Sequence, residues 1–200
     1  MFAGMDIFVY SGTGNTYKAA QSMGEAAKTS GTECSISMID VSAKPEEYQP
    51  SSERLLGLMA PTMGAIQPMS FFGFILRLPR GKGQKVFLAA TGAGEKIGPL
   101  FIPGYIGFGL YLAALFLLLK GYKVVGITGF GMPRNWTTLI PPNPQKLEDS
   151  INDKITSTAG AFAKEILSGK RVNKRIVDLV ITLIILPLPV LYSLFGLLSR

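Results

Sequence analysis

Ser11-Gly12-Thr13-Gly14-Asn15-Thr16 follows directly on the apolar run Ile7-Phe8-Val9-Tyr10. This junction decides the fold. The apolar run reads as a buried strand and Thr16 to Lys28 as a helix, so the residues between them make a βα turn. Gly12 and Gly14 let the backbone turn sharply and let a ligand come close. Ser11, Thr13, Asn15 and Thr16 offer short polar side chains, and the first amides of the helix point at the same spot. Such a turn suits a phosphate, held by N–H groups, hydroxyls and the helix dipole. No Gly-Lys-Ser/Thr closes it, so it is not a Walker A. Tyr17 occupies the third glycine position of a dinucleotide-binding turn.

Outward from this junction, strands and helices alternate. Further strands are expected at Ser35 to Ile39, Arg54 to Ala60, Lys85 to Ala90 and Tyr122 to Phe130, after a first at Asp6 to Tyr10. Met69 to Leu78 and Pro144 to Ser168 read as helices. Lys44 to Ser52 and Pro61 to Pro68 read as loops, and Thr91 to Gly94 as a tight glycine loop. Near-continuous apolar strands separated by helices predict an α/β fold with a doubly wound, five-stranded parallel sheet. Ligands of such sheets sit at the carboxyl ends of the strands. The loops after strands one, three and four should therefore converge.

The residue inventory narrows the chemistry. One cysteine, Cys34, makes neither an internal disulfide nor an iron–sulfur cluster, and there is no histidine. A Ser-His-Asp or Cys-His site is excluded, no metal site is expected, and no catalytic residue stands out. Redox or group-transfer chemistry has to come from a cofactor.

The wording Tyr10-Ser11-Gly12-Thr13-Gly14-Asn15-Thr16, close to the N-terminus, resembles the FMN phosphate loop of the flavodoxin family. The resemblance extends over residues 5 to about 168 and implies a flavodoxin-like fold with FMN as cofactor. It implies that Ser11, Gly12, Thr13, Gly14, Asn15 and Thr16 hold the phosphate. It also implies that Pro61-Thr62-Met63-Gly64-Ala65 and Thr91-Gly92-Ala93-Gly94 hold the isoalloxazine ring. Many flavodoxins stack Trp or Tyr on the ring from these two loops. Neither loop has one here, and Met63 is their only large soft side chain. The later turn Gly131-Met132-Pro133-Arg134-Asn135-Trp136 is similar to one in a flavodoxin-type domain fused to a two-cluster ferredoxin, and implies Asn135 and Trp136 at the flavin edge.

Composition points to a second environment. The chain is 48% hydrophobic and only 16% charged, against roughly 25% charged in a typical soluble domain. Its net charge is +7, with Lys164, Lys170, Arg171, Lys174 and Arg175 clustered just before an apolar tail. That placement suits an anionic membrane surface, and no basic patch is interleaved with aromatics as nucleic-acid binding would need. Ile176 to Leu198 carries one charge, Asp178, and is long enough to cross a bilayer, although Pro187 and Pro189 would bend it. Residues 1–169 are thus expected to form an FMN-binding domain, and 170–200 a basic linker and hydrophobic membrane anchor. The basic side of the anchor places the domain on the cytoplasmic side of the membrane. No signal peptide is evident, because the chain enters its first strand without a basic leader.

Ile97 to Leu119 has no charge at all, yet it lies between two strands of one sheet, so a full span there would tear the sheet apart. Pro99 and Pro103 place its start in a loop and leave a helix from Gly104 to Lys120 that is apolar all round. One face covers the sheet, and the other meets lipid, the tail or a protein. Gly104, Gly107 and Gly109 would permit close helix approach, which makes a homo-oligomer compatible with the sequence. The expected function is that of a membrane-associated, FMN-binding electron-transfer protein. Its partner would be a ferredoxin, a membrane redox complex or a quinone. Two alternatives stay open: an oxidoreductase acting on a quinone or other apolar membrane substrate, and a flavin-free membrane scaffold.

Overall fold

The computed structural model describes residues 2–97, 100–102, 104–134 and 143–185. A parallel sheet runs through it in the order β2-β1-β3-β4-β7-β8. These strands are β1 (Gly4–Val9), β2 (Glu33–Met38), β3 (Arg54–Pro61), β4 (Lys85–Ala93), β7 (Lys123–Met132) and β8 (Val172–Asn173). The sheet has six strands rather than the expected five. The sixth comes from the basic run, whose Val172 and Asn173 pair with Gly126 and Ile127 of β7. Two residues bounded by charges carry too little apolar pattern to read as a strand.

Helices cover both faces. On one lie α1 (Asn15–Thr29) and α4 (Gln145–Leu167), which bury Ala19, Met23 and Ala27 against Ile151, Ile155, Phe162 and Ile166. The buried positions recur every three or four residues, which puts them on one side of each helix. On the other face lie α2 (Met69–Arg77) and α3 (Gly109–Leu119), over Leu56, Leu58, Val86 and Leu88. The central strand β3 is buried on both sides, so Leu55, Leu56, Leu58 and Met59 are all fully covered. Each such side chain contributes roughly 1.5–3 kcal/mol on burial.

Three boundaries differ from expectation in ways that matter for the site. Thr91, Gly92 and Ala93 are not a tight loop but extend β4, paired with Phe130, Gly131 and Met132 of β7. An antiparallel hairpin follows, β5 (Glu95–Ile97) with β6 (Leu100–Ile102). Then α3 begins at Gly109 rather than Gly104. Gly104 and Gly107 have positive φ, which ends any helical path there, and the intervening segment lies on the loops beneath it. These glycines therefore serve contacts with neighbouring loops.

α3 buries Leu110, Ala113, Ala114 and Leu117 and exposes Leu115, Leu118 and Leu119. Helix α5 (Ile176–Ile185) reverses the usual pattern. Asp178 and Thr182 face the domain at 4% exposure, while Leu183 and Ile184 are 64% exposed. Among the described residues no helix is long and apolar enough to cross a membrane. The rest of the expected anchor, residues 186–200, lies outside the described residues.

Candidate functional site

A cleft of about 500 Å³ opens at the carboxyl edge of the sheet, where β1, β3, β4 and β7 end side by side. The three expected loops do converge on it. Gly12, Thr13, Asn15 and Thr16 line it from the first loop; Pro61, Thr62, Met63 and Gly64 from the second; Thr91, Gly92 and Ala93 from the end of β4.

Gly14 is the N-cap of α1, with φ of 85°, and has no side chain to cap the helix. The first turn of a helix leaves amides without intrahelical partners, and here no acidic side chain sits in that turn. Ser11 does not line the cleft. Its Oγ accepts the Tyr17 amide at 3.2 Å and so tightens the turn. Asn15 ties the first loop across the cleft, its Nδ2 donating to the Pro133 carbonyl at 3.1 Å. The Thr16 and Thr91 hydroxyls share a buried hydrogen bond at 2.8 Å, which joins the start of α1 to the end of β4. Gly94 also lies outside the lining, its amide donating to the Met132 carbonyl at 2.8 Å. Asn135 and Trp136 lie outside the described residues.

Tyr10, Met132 and Pro133 line the cleft in addition. An aromatic residue therefore does border the site, from just after β1 rather than from the second or third loop. Its position just before the glycine turn was the available signal. Met63 stands at the mouth, 60% exposed. At the rim, Arg134 pairs with Glu95 at 3.4 Å.

None of the described lining residues is Asp, Glu, Lys, Arg or Cys. The cleft is built from hydroxyls, amides, backbone and apolar side chains. It can bind and orient, but it holds no carboxylate or imidazole to act as a general acid or base. Anion affinity at one end, from the α1 N-terminus, and apolar walls at the other suit an elongated ligand with one phosphate.

The chain matches no protein-family profile and no curated protein. Solved structures do share its fold. A flavodoxin of Streptococcus pneumonia TIGR4 superposes with a TM-score of 0.53 at 14% identity, over 84% of this chain and 99% of that one. The flavodiiron protein of Giardia intestinalis gives 0.51 at 14% identity, over 83% of this chain and 36% of its own. Rubredoxin oxygen:oxidoreductase from Desulfovibrio gigas gives 0.50 at 13% identity, over 83% and 36%. The likeness at these identities is one of fold, a flavodoxin-like α/β parallel sheet.

Proposed function

We propose that this chain is an FMN-binding electron-transfer protein held at the cytoplasmic side of a membrane. The observation that carries the cofactor is the cleft itself. It sits at the carboxyl ends of the paired strands β1 and β3, from which the chain leaves in opposite directions along the sheet, to β2 and to β4, with a glycine-capped helix N-terminus at its phosphate end. The residues fit the group. Gly12, Thr13, Asn15 and the first amides of α1 would take the phosphate. Tyr10, Met63, Pro61 and the backbone of Gly64, Gly92 and Ala93 would bound the ring. Bound FMN supplies one- and two-electron redox chemistry, while the protein tunes it through contacts at the ring edge. The flavodoxin and flavodiiron neighbours support this reading through fold.

Support for the membrane comes from α5. A helix that turns Asp178 and Thr182 inward and Ile176, Val177, Val180, Leu183 and Ile184 outward is suited to apolar surroundings. The exposed leucines of α3 add to the apolar surface, and Lys170 and Arg171 supply charge for anionic headgroups. The redox partner would be a ferredoxin or a membrane redox complex. A second reading, oxidoreduction of a quinone, is favoured by the nearness of α5 to the cleft: Asp178 bonds to the Ile106 amide, and the Ile106 carbonyl accepts from Thr62, a lining residue.

The deciding experiment is the visible spectrum of the detergent-purified protein, with identification of the released flavin. Stoichiometric FMN supports the proposal, and a colourless protein that refuses added FMN overturns it. Attachment is tested by flotation with anionic vesicles. Val180→Glu with Leu183→Glu should cut the bound fraction by more than about half, since each charge costs about 2.5–3.5 kcal/mol in the bilayer centre. Equal flotation of variant and parent would sink the membrane reading.

A further inference from the structure

The segment Gly104–Gly109 touches both ring loops with one side and α5 with the other. Towards the cleft, a Cβ at Gly104 would fall on the Ala93 carbonyl, and one at Gly107 on the Ala65 carbonyl. A Cβ at Gly92 would come within 3.0 Å of the Tyr105 carbonyl. The Phe108 and Gly109 amides donate to the Ala65 carbonyl at 3.0 and 3.3 Å. Thr62 donates through Oγ1 to the Ile106 carbonyl at 3.3 Å, and accepts from Gln67 Nε2 at 3.1 Å. The segment does not line the cleft itself but backs two of its linings, in contact with the second loop and the end of β4.

Towards α5 the same segment meets a polar clasp. The Ile106 amide donates to Asp178 Oδ1 at 3.1 Å. Arg175 Nη2 donates to the Gly104 carbonyl and to Asp178 Oδ1, the latter at 2.8 Å. Arg175 Nε lies 2.6 Å from Asp178 Oδ2, and the two side chains are 11% and 6% exposed. Thr182 donates to the Asp178 carbonyl at 2.7 Å, so its oxygen accepts from the Tyr105 hydroxyl. The buried polar groups of this helix face are thereby engaged with the segment behind the cleft loops.

We infer that Arg175, Asp178 and Thr182 are positioning residues for the cofactor cleft: Arg175 and α5 hold the Gly104–Gly109 segment, and that segment, packed behind the lining, sets the loops that take the ring. This rests on the FMN reading for its ligand and on the clasp geometry alone for its mechanics. Asp178→Asn leaves the Arg175 guanidinium buried without an anion and weakens the hold on the Ile106 amide.

The test uses the full chain in detergent. In the FMN-free protein, amide hydrogen exchange at 62–66 and 104–109 should speed up about tenfold in Asp178→Asn, while α1 and α4 keep parental rates. The FMN dissociation constant should rise about tenfold, and Asp178→Glu should restore much of both. Parental exchange at 104–109 overturns the inference, and so does faster exchange with unchanged FMN affinity. Should Asp178→Asn fail to fold, Tyr105→Phe and Thr182→Val each remove one hydroxyl and should move both readouts the same way, about threefold. A parent that binds no FMN refutes the proposed cofactor. The exchange rates of the FMN-free variants then decide by themselves whether the clasp holds the Gly104–Gly109 segment.

Discussion

Asn15 shows how one side chain serves the cleft twice. It lies at the start of α1, where a phosphate is expected, and it also ties the first loop to the Pro133 carbonyl. Asn15→Leu removes both the donor and the tie. Its FMN dissociation constant should rise at least about tenfold by fluorescence titration, which is 1.4 kcal/mol. An unchanged constant would remove Asn15 from the site. The local part of the site was legible in the sequence because Gly12, Thr13, Asn15 and Thr16 are neighbours in one turn. Tyr10, Met132 and Pro133 were not read as lining. Their membership depends on β1 and β7 ending at the same edge with β3 and β4 between them, which no short window displays. Asp178 was legible only as an interruption of an apolar tail. Its partners are Arg175, three residues before, and the Ile106 amide, which only the fold brings close.

Among the elements, those buried on one or both faces were the ones the sequence specified well. β3 reads as an apolar run and is a central strand, and α4 reads as a helix and packs along one buried stripe. The β5–β6 hairpin escaped, because Pro99 and Pro103 mark irregular backbone without saying which turn they flank. β8 escaped because its two residues are held by pairing rather than by a buried pattern of their own. The fit between central strands is tight at Gly57, where an added Cβ would run into the Phe87 ring on β4. Gly57→Ala should therefore destabilise the protein by roughly 1–3 kcal/mol, seen as a lower urea midpoint with little change in slope. A midpoint equal to the parent's would mean that the ring has room to move aside.

The whole molecule carries an electrostatic signature set by what it lacks. With no histidine, no side chain has its ordinary titration between pH 5 and 8 except in strongly perturbed cases. At the far edge of the sheet from the cleft, burial alone would raise the Asp6 carboxyl. Hydrogen bonds from Arg54 at 2.6 and 2.8 Å and from Ser35, with the guanidinium charge, outweigh it and hold Asp6 below its usual range. Stability from Asp6 is therefore present above the unfolded carboxylate pKa and is lost as pH falls through the lower folded value. Burial pushes the Tyr48 phenol up to about 12, and raises Tyr122 and the Cys34 thiol as well. Their contribution is full below the unfolded values and is lost as pH rises through the folded ones. Urea midpoints should then stay level from about pH 5 to pH 8 and fall on both sides. A step of more than about 1 kcal/mol near pH 6.5 would contradict this.

The inward-facing polar side of α5 has a consequence for how the chain is made. Its seat on Gly104–Ile106 is translated some seventy residues earlier than Asp178, as the spacing of the bonded residues shows. Domains tend to assemble in order of synthesis, so the seat can be folded before the helix emerges. Until it docks, the helix carries a carboxylate among exposed apolar side chains, with Arg175, just before the helix, as its near partner. Maturation would accordingly run from a finished domain to a docked helix, and a chain stalled before residues 104–109 had settled would expose an apolar segment with nowhere to place its charge.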